Sequence, residues 1–427
     1  MQDAPHPPPP RPGLRHSLSL LSRNPAFARL YAATLVSFMG DWFATIAILG
    51  RVNDLTNGSA PLVTLVMVTQ MVSIAIFSPL GGSLADRFDR RKLMVLADVV
   101  RVVLVLGYLL MDTPGEVWMA YVLTAGIGAF TAAFEPTTIA AVPNLVDRDD
   151  LPAANVLMGS AWGTMLAVGG ALGGIVAATL GRDAAFIGDA LSFAVSALLI
   201  VGIRRPFSEK RSVEHPTIRA AVADTVRYAR LDRRVLALLS VKAGFGLGGG
   251  IMALLPLVSL NVFMTGDPGT GILLAARGLG ALLGPFLARR FTQNLRSLYA
   301  AIGVSFAVYG ISYGIVSLSP ALWFAAIFVI SAHLGGGAQW TLSTYGLQRI
   351  VPDSIRGRVF SFDFGLATLS FSVSILLGGF VADQWGPLAA IGVLAAISGL
   401  WAIVWTTLTR RIRRESSFET RPEIATV

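Results

Sequence analysis

The sequence predicts an all-α membrane protein of twelve transmembrane helices, arranged as two pseudo-symmetric six-helix halves with both termini cytoplasmic. Three observations predict it: the balance of apolar and charged residues, the placement of basic residues between apolar runs, and matches between the halves at a near-constant offset. Of the 427 residues, 54% are hydrophobic and 14% charged, against about 25% charged in soluble domains. The surplus apolar surface must face lipid.

A helix crossing about 30 Å of hydrocarbon needs roughly 20 apolar residues, and such a helix satisfies its own backbone groups. Twelve runs meet this need, at 27–49, 61–82, 93–112, 117–140, 154–180, 184–203, 235–262, 270–288, 297–317, 321–345, 359–381 and 387–409. Basic loops stay cytoplasmic. With the N-terminus inside, 29 of the 34 basic residues fall in cytoplasmic tails and loops, Arg51 and Arg182 fall outside, and Arg101, Lys242 and Arg277 lie within helices. An even number of crossings returns the C-terminus to the same side.

Internal duplication appears as matches in the same order. Gly81, Leu84, Ala85 and Arg87 match Gly284, Leu287, Ala288 and Arg290 at an offset of 203. Val142-Pro143-Asn144 matches Val351-Pro352-Asp353 at 209, and Leu172-Gly173-Gly174 matches Leu377-Gly378-Gly379 at 205. The expected organisation is therefore a six-helix half over 26–203, a linker over 204–234 and a second half over 235–410. Residues 1–25 and 411–427 read as cytoplasmic tails. The first holds Pro7 to Pro10 and three arginines with no apolar stretch before a cleavage site, which marks a disordered tail instead of a signal peptide. The linker carries nine basic residues and an amphipathic stretch from Ile218 to Leu231, which either lies on the membrane surface or serves as a solvated topology signal.

The net charge of +9 is dispersed among short loops, so it forms no basic face of the kind that follows a phosphate backbone, and no nucleic-acid partner is expected. The absence of cysteine excludes disulfides, Cys-ligated zinc and iron-sulfur sites. No G-x4-G-K-[ST] or H-E-x-x-H segment occurs, and Gly310-Ile311-Ser312-Tyr313-Gly314, which spells G-x-S-x-G, lies inside the ninth apolar run and makes no strand-to-helix elbow, so neither ATP binding nor enzymatic chemistry is expected. No cofactor or metal is implied. With three lysines among 34 basic residues, the arginine bias accords with a GC-rich bacterial genome and a place in the bacterial cytoplasmic (inner) membrane.

The loop Gly82-Ser83-Leu84-Ala85-Asp86-Arg87-Phe88-Asp89-Arg90-Arg91-Lys92 resembles the signature loop of the major facilitator superfamily. Asp86 can pair with Arg87, Arg90 or Arg91, and such a latch can store the few kcal/mol that separate two conformations. Asp89 stands where that family usually has a second glycine, so the turn can differ and one more acid is available. The segment from Val351 to Val359, with Arg356, Gly357 and Arg358, resembles the drug/proton antiporter branch that includes macrolide and siderophore (enterobactin-type) exporters. Phe186 to Phe193, and Asp98 with Arg101, resemble the same branch. Gly169, Gly170, Gly173 and Gly174 are close to its glycine-rich antiporter motif, and small residues at this spacing let helices approach. Two departures stand out: Gly170 replaces a proline of the family pattern, and Val122 replaces an arginine in the fourth run. The resemblance covers nearly the whole chain after residue 24.

Charged groups at bilayer depth cost at least about 2.5 kcal/mol each, so they tend to pair and to face a cavity. Asp41 and Glu135 are candidate proton carriers, since a carboxyl group in low dielectric can load and release protons near neutrality; a structural hydrogen bond is the alternative for each. Arg277 cannot shed its charge and needs either a carboxylate on another helix or an anionic substrate. His333 is a titratable candidate or a packing residue. Lys242 and Asp363 lie toward the cytoplasmic ends of their helices, where Lys242 can snorkel, and Asp98 with Arg101 reads as a local pair near the inner face. Trp42, Phe43, Phe134, Trp162 and Trp340 are candidates to stack on an apolar substrate or to pack. The resemblance implies export of hydrophobic drugs or secondary metabolites in exchange for protons, by alternating access. Uptake of a small solute, or a non-transporting membrane sensor, remains the alternative. The expected partners are the lipid bilayer, a small hydrophobic or amphipathic substrate and protons, with the chain acting as a monomer.

Overall fold

The computed structural model describes residues 14–147, 150–205 and 226–414, so most of the linker and the outermost tail residues lie outside the described part. Twelve helices are long and apolar enough to cross a membrane. A short helix, α1 (Leu14–Arg23), precedes them. The first half comprises α2 (Pro25–Leu55), α3 (Ala60–Arg87), α4 (Arg90–Leu106), α5 (Val117–Leu145), α6 (Leu151–Thr179) and α7 (Arg182–Val201). The second comprises α8 (Arg233–Val262), α9 (Gly266–Ala288), α10 (Leu295–Val316), α11 (Leu322–Ile350), α12 (Asp353–Trp385) and α13 (Pro387–Leu408). Each contains one of the twelve apolar runs to within two residues, except that the third run continues past α4 through a 3-10 turn at Gly107–Leu110.

Local chemistry sets the starts. Asn24 caps α2, its side chain accepting from the Phe27 amide at 3.1 Å, and Pro25 opens the helix. Asp89, Asp232 and Asn294 accept from backbone amides at 3.0, 2.9 and 2.8 Å to start α4, α8 and α10, as capping residues should. Asp89 is thus committed to a cap, and is no longer a spare acid for the loop.

One expectation needs correction. The N-terminal tail is not disordered over all of 1–25: Leu14–Arg23 is helical because Leu20 is fully buried against Phe27, Leu30 and Leu145, and Arg23 reaches Asp150 at 3.2 Å. The seventh run spans as a helix, as expected, and is irregular only near its end. Pro256 lacks an amide donor, and after it Val258–Val262 forms a π-turn, a known response to a lost rung. From the amphipathic linker stretch, residues 226–231 are helical and the rest lies outside the described residues.

The duplication is visible in the packing. Gly81 brings α3 against the backbone of α5 at Ala132, and its partner Gly284 brings α9 against α11 at Leu334. Gly181 and Gly386, 205 residues apart, adopt φ of +88° and +85° at the equivalent turns before α7 and α13. An L side chain would be strained at both.

The halves meet at the end of the bundle remote from the tails. Along α6 and α9, Gly170 lies against Leu274, Gly174 against Asp267 and Gly271, and Gly278 against Ala167. The matched Gly379 packs α12 onto Thr64 and Pro61 of α3. Among the described residues, every hydrogen bond and ion pair between the halves is at this end: Asn53 and Asn261 exchange amide bonds of 3.0 and 2.9 Å, and Arg182 binds Asp267 at 2.9 Å. Arg182 also holds Asp54 of its own half at 2.6 Å. Toward the tails, a Cβ on Gly159 would have no neighbour within 4 Å. Among the described residues, the contacts that join the halves thus gather at the end remote from the tails.

A side chain at Gly174 should open this end. Its Cβ would lie 2.8 Å from the Asp267 carbonyl oxygen, and overpacking of this kind costs about 1–3 kcal/mol. In the cysteine-free chain carrying Asn53→Cys and Asn261→Cys, a short bifunctional thiol reagent should cross-link the halves. Adding Gly174→Leu should cut the yield at least about fivefold, and an unchanged yield would refute the seam.

Candidate functional site

The first half holds a charge cluster built by four helices, with Asp98, Arg101 and Asp189 buried and Asp41 and Glu135 half-buried. Asp98 and Arg101, on α4, form the expected local pair and are 0% and 1% exposed. The Arg101 guanidinium donates to Asp98, reaches Ser37 Oγ at 3.5 Å and lies 4.5 and 4.2 Å from the ring centres of Phe134 and Phe193. Two aromatic faces and a carboxylate hold this cation in place. Asp41 on α2, Glu135 on α5 and Asp189 on α7 lie within electrostatic reach of the same arginine, and Asp41 also within reach of both Glu135 and Asp189. Asp189 accepts from Ser192 at 3.2 Å. Gly40 permits the arrangement, since any Cβ there would overlap the Ser192 hydroxyl and the Asp189 carboxylate.

Asp41 and Asp189 face a cavity also lined by Gln70, Tyr108 and Thr124. No described residue hydrogen bonds the carboxyl group of Asp41 or Glu135, so the structural bonds considered for them are absent there. Four carboxyl groups share Arg101, and Arg101 is directed at Asp98. Asp189, which sequence reasoning quoted in a motif but did not select, was legible: Asp189, Ser192 and Ser196 recur at helical spacing on one buried face.

The second half is built differently. Lys242 on α8 is ion-paired with Asp363 on α12, and their side chains are 6% and 0% exposed. The ammonium sits 4.7 Å from the Trp340 ring centre and 5.9 Å from that of Phe360. Lys242 does not snorkel, because it lies on the buried face of α8 and its partner is inside. His333 is hydrogen bonded to the Tyr313 hydroxyl at 2.7 Å, with Tyr309 and Tyr313 packed edge-on against its ring. Arg277 on α9 lies among Tyr309, Tyr313 and His333. No described carboxylate pairs with it, and its Nε is buried with no hydrogen-bond partner.

The glycine motif of α6 serves two partners. Gly169 and Gly173 receive Trp42 and the backbone of α2 within the half, whereas Gly170 and Gly174 face α9 across the halves. Trp42 and Phe43 are thereby packing residues, Phe134 is a wall of the Arg101 site, and Trp340 covers Lys242. In the loops, Arg91 donates to the Arg205 carbonyl at 3.0 Å, and Arg356 turns back to the Val351 carbonyl at 3.3 and 3.2 Å, closing α11. Arg90 opens α4 and Arg358 lies in the first turns of α12. The side chains of Asp86, Arg87 and Trp162, and the surroundings of Gly82 and Gly357, lie outside the described residues.

Residues 17–424 match the family described as transmembrane secretion effectors. The chain belongs to this family. It is similar to macrolide efflux protein A of Streptococcus pyogenes, 25% identical, with 84% of this chain and 90% of that protein covered. It is also similar to the enterobactin exporter EntS of Citrobacter koseri, 23% identical, with 91% and 92% covered. Among solved structures it shares its fold with a bacterial homolog of the lysosomal transporter Spinster, at a TM-score of 0.69 and 12% identity over 91% of this chain and 96% of that one. A peptide-transporter (POT) family member, bound to 5-aminolevulinic acid, matches at a TM-score of 0.73 and 11% identity over 95% and 99%. The protein is thus a major facilitator transporter of the bacterial inner membrane, with exporters among its relatives, and not an enzyme.

In this secretion effector the Lys242–Asp363 pair should behave as a unit. Removing one partner of a buried pair costs about 3–5 kcal/mol because the other charge is left uncompensated, whereas apolar replacement of both is often near neutral. Lys242→Met should therefore lower the thermal unfolding midpoint of the detergent-solubilised protein by several degrees, and Lys242→Met with Asp363→Leu should recover most of the loss. Equal losses in the single and double variants would refute the pairing.

Proposed function

We propose that the protein exports hydrophobic or amphipathic compounds in exchange for protons, by rocking its halves about a central cavity. The observation that carries this reading is the surplus of carboxyl groups in the first half: Asp41 and Glu135 lie near one arginine already directed at Asp98, and neither is hydrogen bonded to a described residue. Carboxylates without cations in low dielectric are most economically neutralised by protons. A proton entering this cluster changes its charge balance and so biases one of two states.

The distribution of contacts supports alternating access. Among the described residues, the contacts that join the halves gather at the end remote from the tails. The basic loops support cytoplasmic tails; in that orientation the joined end is external and this state is inward-open. Arg182 and its two aspartates would then be the external clasp, which must part when the halves rock outward. The loop from Gly82 to Lys92, with Asp86 and Arg87, would latch the opposite, cytoplasmic end in the outward-open state. The macrolide and enterobactin exporters among the relatives support export of bulky, partly apolar cargo.

The test is uptake of a macrolide, a catecholate siderophore and an apolar dye into inside-out vesicles under an imposed pH gradient. Wild-type protein should accumulate at least one of them, and collapse of the gradient should abolish accumulation. Asp41→Asn together with Glu135→Gln should reduce gradient-driven uptake at least about tenfold while insertion and folding are retained. Uptake that survives collapse of the gradient would sink proton coupling, and full activity of the double variant would sink the assignment of carriers.

A further inference from the structure

The second half contains a cation that its own fold leaves uncompensated. On α9 the lipid-facing stripe is marked by Ile272, Leu279, Leu283 and Phe286, which are 48%, 41%, 41% and 58% exposed. At 100° per residue, Arg277 falls on the opposite side, between the face that Gly278 presses on Ala167 of the first half and the face that Gly280 presses on His333. It therefore points into the protein, beside the seam where the halves meet.

Among the described residues its surroundings are polar and aromatic, not acidic. Tyr309, Tyr313 and His333 are the groups that act on its charge; the Tyr313 hydroxyl is bonded to His333 Nε2, and the Tyr309 hydroxyl donates to the Gly248 carbonyl at 3.4 Å. Its Nε is buried and unpartnered. Phe245 continues the aromatic wall, with ring centres 5.0 Å from Tyr309 and 6.3 Å from Trp340. A permanent cation at this depth needs an oxyanion, and a guanidinium fork beside aromatic faces matches a planar carboxylate borne on an apolar or aromatic body.

We propose that Arg277 anchors an anion subsite in the second half, where it takes the carboxylate of an amphipathic cargo whose apolar body lies along the wall of Phe245 and Tyr309. This deepens the transport reading and rests on it. It divides the labour: the surplus acids of the first half handle protons, while the fixed cation of the second half holds the anionic end of the cargo. Electrostatic pairing of cargo with Arg277 also supplies the partner that the chain itself withholds.

The probes are 2-naphthoate and its uncharged isostere 2-naphthamide, measured by equilibrium binding to the full-length protein in detergent, with no transport step. Wild-type protein should favour the carboxylate at least about tenfold, the range expected for a hydrogen bond to a charged group. Arg277→Gln should bring the ratio of the two affinities close to one, and Arg277→Lys should retain most of the preference. A wild-type ratio near one overturns the proposal without any variant, so it stays testable should Arg277→Gln fail to fold. An undiminished preference in folded Arg277→Gln also overturns it, as does complete competition by equimolar chloride, which would mean that an inorganic anion alone occupies the guanidinium. Gradient-driven uptake by wild-type vesicles is read separately, so loss of carboxylate preference and loss of proton-driven transport are distinguishable.

Discussion

The organisation of this transporter depends on how closely α6 and α9 approach. Backbone lies against backbone from Gly170 and Gly174 to Gly271 and Gly278, a contact that side chains would prevent. In lipid there is no hydrophobic drive to bring helices together, so dispersion between close backbones and a few polar bonds must join the halves. That makes the joint both specific and breakable. Arg182 with Asp267 and Asp54, and Asn53 with Asn261, add polar contacts at the rim, where water can replace them once the halves part. A joint built from a large apolar interlock would hold one state too firmly to cycle.

Within the halves, the duplicated frame carries unlike chemistry. Gly81 and Gly284, Gly174 and Gly379, and Gly181 and Gly386 occupy equivalent places and do equivalent mechanical work. The charged residues do not follow this symmetry. The first half concentrates acids around one arginine clamped between Phe134 and Phe193, and the second pairs Lys242 with Asp363 and leaves Arg277 among tyrosines. Symmetry is retained at the glycine contacts that set how closely the helices approach, and lost among the charged side chains.

Much of this was legible in the sequence, for identifiable reasons. Helix number followed from apolar length, and the six-plus-six division from repeated glycines, because both are set by local composition and by close approach. Boundaries were extended by caps such as Asn24 and Asp89 that lie outside the apolar runs. Asp41 and Glu135 could be named as intramembrane acids, but not their convergence with Asp98 and Asp189, which is a fact of packing between four helices. Lys242 was misplaced because distance from a helix end says nothing about which face is buried. The helix α1 was missed because its burial depends on Leu145 and Leu157, far along the chain.

Arg277 shows how a missing partner can be informative. The sequence left two outcomes, a carboxylate on a neighbouring helix or an anion from outside, and intramembrane arginines generally find the former. Among the described residues α10 and α11 offer Tyr309, Tyr313 and His333 in its place. Those groups solvate a guanidinium without neutralising it, and their own hydrogen bonds fix them where they stand. A charge held that way carries its desolvation cost permanently, which a chain selected for stability alone would relieve by substituting an apolar residue or supplying an acid. Retention of the uncompensated cation beside the seam between the halves, on the face of α9 turned from lipid, is what separates a binding element from a structural one.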